Sequence, residues 1–180
     1  MAHAFFTIGH STRSITEFFG MLGGPEVRRI IDVRKMPMSR NNPQFNRDAL
    51  AAALAPAGIG YDHIAALGGL RGKAPDLPPD LNGLWTNPSF HNYADYALST
   101  AFHDGLGALR AIGHRQTCAV MCSEAVWWRC HRRIIADYLI ARGETVFHIM
   151  SADRLEPARL TPGAAVQPDG RILYPAPSTT

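Results

Sequence analysis

Short apolar runs that each stop at a polar cluster are what most constrain this chain. Phe5-Phe6-Thr7-Ile8 stops at Gly9-His10-Ser11, Val27 to Val33 carries Asp32 and Arg34 at its C-terminal end, and Thr117 to Met121 runs into Cys122-Ser123-Glu124. The runs lack the strict alternation of a strand with one wet face, as expected for strands covered by helices on both sides. Ile59 to Ile64 and Thr145 to Ile149 read as two further strands.

Helical stripes fill the intervals. Ser14 and Glu17 have capping-box spacing ahead of Ile15, Phe18, Phe19 and Leu22, and Gly23-Gly24 close that stripe. Asn46 stands where it would cap a helix through Leu54, with Gly58 at the exit. Helical pattern resumes from Tyr93 to about Ile112 with a break near Ser99-Thr100, and Trp128 to Ala141 reads as a last helix ending at Gly143. Strands alternating with helices predict an α/β fold: a single Rossmann-like three-layer domain with a mostly parallel sheet over residues 1–150. A tail of residues 151–180 with five prolines is expected on or beside it, as a surface strap or partly disordered. Residues 66–89 are too rich in Gly and Pro for regular structure and suit a lid, a binding loop or a surface excursion.

Composition narrows the function classes. The 180 residues are 46% apolar and 18% charged, which is ordinary for one domain with a full core. No stretch approaches the roughly 20 apolar residues that span a bilayer, and the N-terminus lacks a basic start and cleavage site, so a soluble cytoplasmic protein is expected. The 18 Lys+Arg against 15 Asp+Glu are too small an excess to diagnose nucleic acid. Only Lys35 and Lys73 are lysines, and the arginines that supply the rest suit bidentate contacts to carboxylate or phosphate. Three cysteines in such a chain read as reduced thiols, ligands or nucleophiles rather than a disulfide framework, with Cys118 a packing residue.

In parallel sheets ligands bind beyond the carboxyl ends of the strands, so every polar cluster named above falls on one edge. Cys122 is the leading candidate for a reactive atom there. A helix N-terminus and nearby arginine can lower a thiol pKa from about 8.5 to roughly 3.5–7.5. Glu124 and His10 are the candidates for proton transfer. Ser11, Asp32, Arg34, Arg40, Asn46, Arg129, Cys130 and His131 are the candidates for substrate binding. Asp32 could instead pair with Arg34 or Arg129. Cys130 could be a second nucleophile, a resolving thiol or a metal ligand, or lie buried under the helix. Arg132 and Arg133 could be no more than a solvated face, Arg133 more readily than Arg132. Of Trp127 and Trp128, one is expected to stack a flat group and one to fill the core.

Several motifs together resemble one family. Thr7-Ile8-Gly9-His10-Ser11, Asp32-Val33-Arg34 with Pro37 and Ser39-Arg40, Asn42-Pro43-Gln44-Phe45-Asn46, Leu67-Gly68-Gly69, Tyr93-Ala94-Asp95-Tyr96, Met121-Cys122-Ser123-Glu124 and Arg129-Cys130-His131-Arg132 look like the family catalogued as domain of unknown function 488. The resemblance runs from about residue 5 to residue 150. It implies an α/β fold and a functional role for the two cysteine motifs, and no settled reaction. A looser likeness in layout links the chain to rhodanese-type and cysteine-phosphatase folds, but six residues separate Cys122 from Arg129, one more than the phosphatase pattern has.

The first expectation is therefore a cysteine-dependent hydrolase or transferase acting on a small anionic or nucleotide-like substrate, with no cofactor and no resident metal. Two other readings stand beside it. One is a nucleic-acid-binding or base-handling protein using Arg34, Arg40, Arg71, Arg129 and Arg132 on phosphates. The other is a Cys/His metal or redox site, in which a metal would need His10 or His131 brought in by the fold.

Overall fold

The computed structural model describes residues 3–178. Its centre is a six-stranded sheet of order β3-β2-β4-β1-β5-β6, built from β1 (Phe5–Gly9), β2 (Arg29–Asp32), β3 (Gly60–His63), β4 (Cys118–Cys122), β5 (Val146–Ser151) and β6 (Arg154–Pro157). The first five are parallel and β6 returns antiparallel on β5. β1 and β4 are buried at every position, which is why their sequences show no alternation.

Helices cover both faces. Helix α1 (Ile15–Gly23) and α2 (Arg47–Leu54) place Phe18, Met21, Leu22, Leu50 and Leu54 against Phe6, Ile8, Ile30 and Met121. On the other face, α3 (Pro88–Tyr96), α4 (Thr100–Arg115) and α5 (Arg132–Ala141) pack Tyr93, Phe102, Leu106, Ile134, Ile135 and Tyr138 against Phe5, Ile31, Val120 and Cys122. The result is the expected three-layer Rossmann-like architecture. The Ser14 and Glu17 capping box forms as the spacing predicts, and Ser99 caps α4 at the predicted break.

Chain direction places the crevice. From β1 the chain leaves toward α1 on one face, whereas from β4 it leaves toward α5 on the other, and these two strands are neighbours with Gly9 beside Cys122. Loops diverging from adjacent parallel strands open a cleft at their carboxyl ends. A side chain at Gly9 has no room there, because a Cβ would lie 1.8 Å from the Glu124 carbonyl oxygen.

Four elements differ from expectation. Helix α3 begins at Pro88 rather than Tyr93, capped by the Asn87 side chain, at the end of the Gly- and Pro-rich stretch. The last helix begins at Arg132 rather than Trp128, and Trp127–Arg129 form a separate 3-10 turn. Asn46 makes no side-chain cap on α2; its Oδ1 accepts instead from the Ser39 amide at 2.6 Å and holds the preceding loop. The tail contributes β6 and a hairpin of β7 (Ala165–Val166) and β8 (Ile172–Leu173). Tyr174 is fully buried there, its hydroxyl donating to Asp137 Oδ2 at 2.7 Å and its amide to Asn82 Oδ1 at 2.9 Å.

Candidate functional site: a buried cysteine pair in the sheet-edge crevice

Cys122 ends β4 with its side chain on the α5 side of the sheet, and the loop from Ser123 to His131 folds back to bring Cys130 over it. The two Sγ atoms lie 2.6 Å apart, and the residues are 3% and 5% exposed. Arg132, at the start of α5, is 1% exposed and turns inward: Nη1 donates to Cys122 Sγ at 2.7 Å and to the Glu124 carbonyl at 2.6 Å. Nη2 donates to the Ala125 carbonyl at 3.2 Å and Nε to Thr7 Oγ1 at 3.2 Å. The expectation of a solvated face at Arg132 is thus reversed. With α5 starting at this residue, its guanidinium lies over the strand ends, while Arg129 stands exposed at the cleft wall.

No carboxylate pairs with Arg132 among the described residues. A buried cation without an anionic partner is costly, so the sulfurs are its natural counter-charge. Burial pushes the Cys130 thiol up. The hydrogen bond from Cys122 together with the charge and amide of Arg132 outweighs burial and brings it down to about 7. Cys122 moves the opposite way, raised by burial and by the neighbouring Cys130 sulfur. The pair shares one negative charge, and a second at 2.6 Å is strongly opposed. Of the two sulfurs it is Cys130 whose pKa is brought down, and it takes the Arg132 amide at 3.4 Å, while Cys122, separated from the helix start by the nine-residue loop 123–131, takes the guanidinium at 2.7 Å.

His131 stands beside Cys130 in a fixed tautomer. Its Nε2 donates to the Val33 carbonyl at 2.9 Å, which leaves the Nδ1 lone pair facing Cys130 Sγ at 3.6 Å. The Tyr93 ring meets it edge-on, and Gly69 packs so closely that a Cβ would lie 2.9 Å from Nδ1. Gly69→Ala is expected to leave the fold intact, tilt this ring and slow Cys130 alkylation several-fold, measured as the second-order rate with iodoacetamide at pH 7.

Behind Arg132, Thr7 Oγ1 lies 2.6 Å from His148 Nδ1. Since Thr7 already accepts from Arg132, its own proton goes to His148. The His148 ring stacks on Trp127 at 4.7 Å and 5°. Trp127 is thus the more buried of the tryptophan pair and Trp128 the exposed one, at 44%. Neither Thr7 nor His148 was singled out by sequence, since their link to the site spans strand neighbours more than a hundred residues apart.

The cavity above the sulfurs measures about 510 Å³. His10, Arg34, Cys122, Glu124, Arg129, Cys130 and His131 all line it. Four other candidate residues fall outside its lining. Asp32 is fully buried and locked to Arg34 by Nε–Oδ1 and Nη2–Oδ2 contacts of 2.9 and 2.7 Å, with Tyr61 donating to Oδ2 at 2.5 Å. The ion-pair reading of Asp32 is the one realised. Ser11, at φ +49, joins the loops through its amide to the Ser123 carbonyl; Arg40 is exposed next to the lining residues Met38 and Ser39, and Asn46 holds the Ser39 loop. His10 donates from Nδ1 to the Ser11 carbonyl and accepts at Nε2 from Arg34. Burial lowers it to about 4, so it is neutral at pH 7 with both nitrogens engaged. Lys35 and Arg129 bring positive charge to the mouth, Glu124 a carboxylate, and Met36, Met38 and Leu70 an exposed apolar rim.

Of the arginines considered for phosphate contact, Arg34 and Arg132 are interior and Arg71 lies over the Tyr96 ring at 3.9 Å, leaving Arg40 and Arg129 exposed. Among the described residues no three His, Cys, Asp or Glu side chains gather as a metal-holding group, and no helix is long and apolar enough to cross a membrane.

Fold and crevice define an α/β domain with a buried, arginine-clamped cysteine pair at the switch point of a parallel sheet. Within that class the chain belongs to the family described as Domain of unknown function DUF488, whose model matches residues 14–139. No curated protein and no solved structure matches it.

Proposed function

We propose that this protein is a cysteine-dependent hydrolase or group transferase for a small anionic substrate, with Cys130 as the attacking atom. The observation that carries the proposal is the buried Arg132 guanidinium whose counter-charge is a sulfur pair. A charge held this way keeps a thiolate available at neutral pH. Cys130 thiolate attacks the electrophilic centre, the bond to the leaving group breaks, that group departs with a proton from Cys122 or solvent, and water or an acceptor then takes the bound group and returns the Cys130 thiolate. Lys35 and Arg129 at the mouth attract the anionic part of the substrate, and Glu124 is placed to hold a cationic part or move a proton.

Alkylation by iodoacetamide, read peptide by peptide, tests this. Cys130 is expected to react with a pH midpoint about 7, while Cys118, pushed up to about 12 by burial, stays inert. Sulfate or inorganic phosphate should slow the reaction by occupying the cleft. Cys130→Ser should abolish any turnover of p-nitrophenyl esters and phosphate by the intact protein. Cys130 reacting no faster than Cys118 would overturn the assignment.

A further inference from the structure

We propose that Cys122 is the resolving thiol of Cys130, and that the pair cycles between dithiol and disulfide on a small anionic disulfide substrate. This rests on Cys130 as the attacking sulfur and specifies what discharges its adduct. Three observations converge on it. First, the partner sulfur is 2.6 Å away and both residues are nearly sealed from solvent. Any group bound to Cys130 is therefore within reach of Cys122 before water. A disulfide at 2.03–2.05 Å needs the sulfurs to approach by only about 0.6 Å.

Second, Arg132 is placed to hand its charge from one sulfur to the other. Its Nη1 touches Cys122 and its amide touches Cys130. While Cys130 is a thiolate, a second negative charge on Cys122 is opposed. Once Cys130 is bonded to substrate it is neutral, and the guanidinium is left without an anion unless Cys122 loses its proton. Forming the adduct therefore activates the resolving thiol.

Third, the rim suits the substrate class. Lys35 and Arg129 offer positive charge next to the exposed apolar surface of Met36, Met38 and Leu70. Leu70 takes φ +56, a conformation unfavourable for a leucine, and its carbonyl accepts from Lys35 Nζ at 3.2 Å. A small disulfide carrying carboxylates on a short apolar frame meets both kinds of surface.

The chemistry balances in two displacements. Cys130 thiolate attacks one sulfur of R–S–S–R, forming the mixed disulfide and releasing the first thiolate, which takes the Cys122 proton. Cys122 thiolate then attacks Cys130 Sγ, forming the intramolecular disulfide and releasing the second thiolate. The substrate gains two electrons and the protein dithiol loses them. A low-molecular-weight dithiol reductant restores the resting state.

The experiment uses the full chain, fully reduced, mixed with oxidised glutathione and followed by intact-mass and peptide analysis. Wild type is expected to lose two hydrogens, to carry a Cys122–Cys130 linkage and to retain no glutathione. Cys122→Ser, with Cys122→Ala as a second variant should a buried hydroxyl perturb folding, is expected to stop at a stable glutathione adduct on Cys130. A wild-type protein that also stops at that adduct would overturn the resolving role and leave the nucleophile standing. No adduct on Cys130 in either protein would overturn both.

Discussion

Arg132→Met should move the pH midpoint of Cys130 alkylation from about 7 to above the ordinary thiol value near 8.5, and reduce the rate at pH 7 by at least roughly tenfold. The side chain is close in length, so the space stays filled while the charge goes. Without the charge, burial is left to act on both sulfurs, and each becomes a protonated thiol. The same change strips donors from the Glu124 and Ala125 carbonyls and from Thr7 Oγ1, at about 1–3 kcal/mol for each group left unsatisfied. Several kcal/mol of destabilisation should appear in denaturant unfolding. Arg132→Lys separates the two effects. It keeps a charge and should hold the midpoint lower than Met does, yet it lacks the fork that reaches Thr7 and both carbonyls at once. An unchanged midpoint in Arg132→Met would remove the guanidinium from the account of the thiolate.

Linkage gives this clamp a second signature. Cys130 has a native pKa below its unfolded value, so its contribution is present above the unfolded pKa and is lost as pH falls through about 7. Cys122 and Cys118, both raised, oppose this at alkaline pH, where their unfolded forms ionise first. Stability should thus rise from pH 7 to about 8.5 and turn over above it, and Arg132→Met should flatten the rising part.

The sheet and its helices were legible because their signals are local. Apolar runs of strand length, the Ser14 and Glu17 box and the Ser99 break each lie within a few residues of what they specify. The switch-point rule then assigned the polar clusters to one edge without knowledge of strand order. Within the site, sequence distinguished residue types and missed their pairing. Between Cys122 and α5 the chain has no periodic pattern to fix where the helix begins: a helix read from Trp128 takes in Arg129, which in fact ends a separate 3-10 turn and stays exposed, while Arg132 opens α5 and is buried. That shift hid the inward turn of Arg132 and the convergence of Cys130 on Cys122. Likewise the prolines of the tail mask two short strands and Tyr174, whose anchors Asn82 and Asp137 are 92 and 37 residues away.

Acid should begin to destabilise this protein above the pH at which carboxylates titrate, because two buried histidines are held neutral. Burial lowers His10 to about 4, and burial with the Arg132 and Arg133 charges lowers His148 to about 3. A base whose native pKa is depressed contributes stability above its unfolded pKa near 6.5 and loses it as pH falls through the native value. Each pH unit of depression is worth about 1.4 kcal/mol; halved for solvent screening, the pair still contributes on the order of 4 kcal/mol of a typical 5–15. Asp137, raised by burial, works the other way. The thermal midpoint should therefore fall steeply from pH 6.5 to about 3, and His148→Gln should remove the larger share of that fall. The loss also reaches the site. Thr7 Oγ1 accepts from Arg132 and gives its proton to His148 Nδ1, so a proton on that nitrogen sets two cations against one hydroxyl and loosens the guanidinium. As pH falls toward about 3, where native His148 takes its proton, Cys130 alkylation corrected for thiolate fraction should decline in wild type and stay level in His148→Gln. Parallel declines in the two proteins would sever His148 from the clamp.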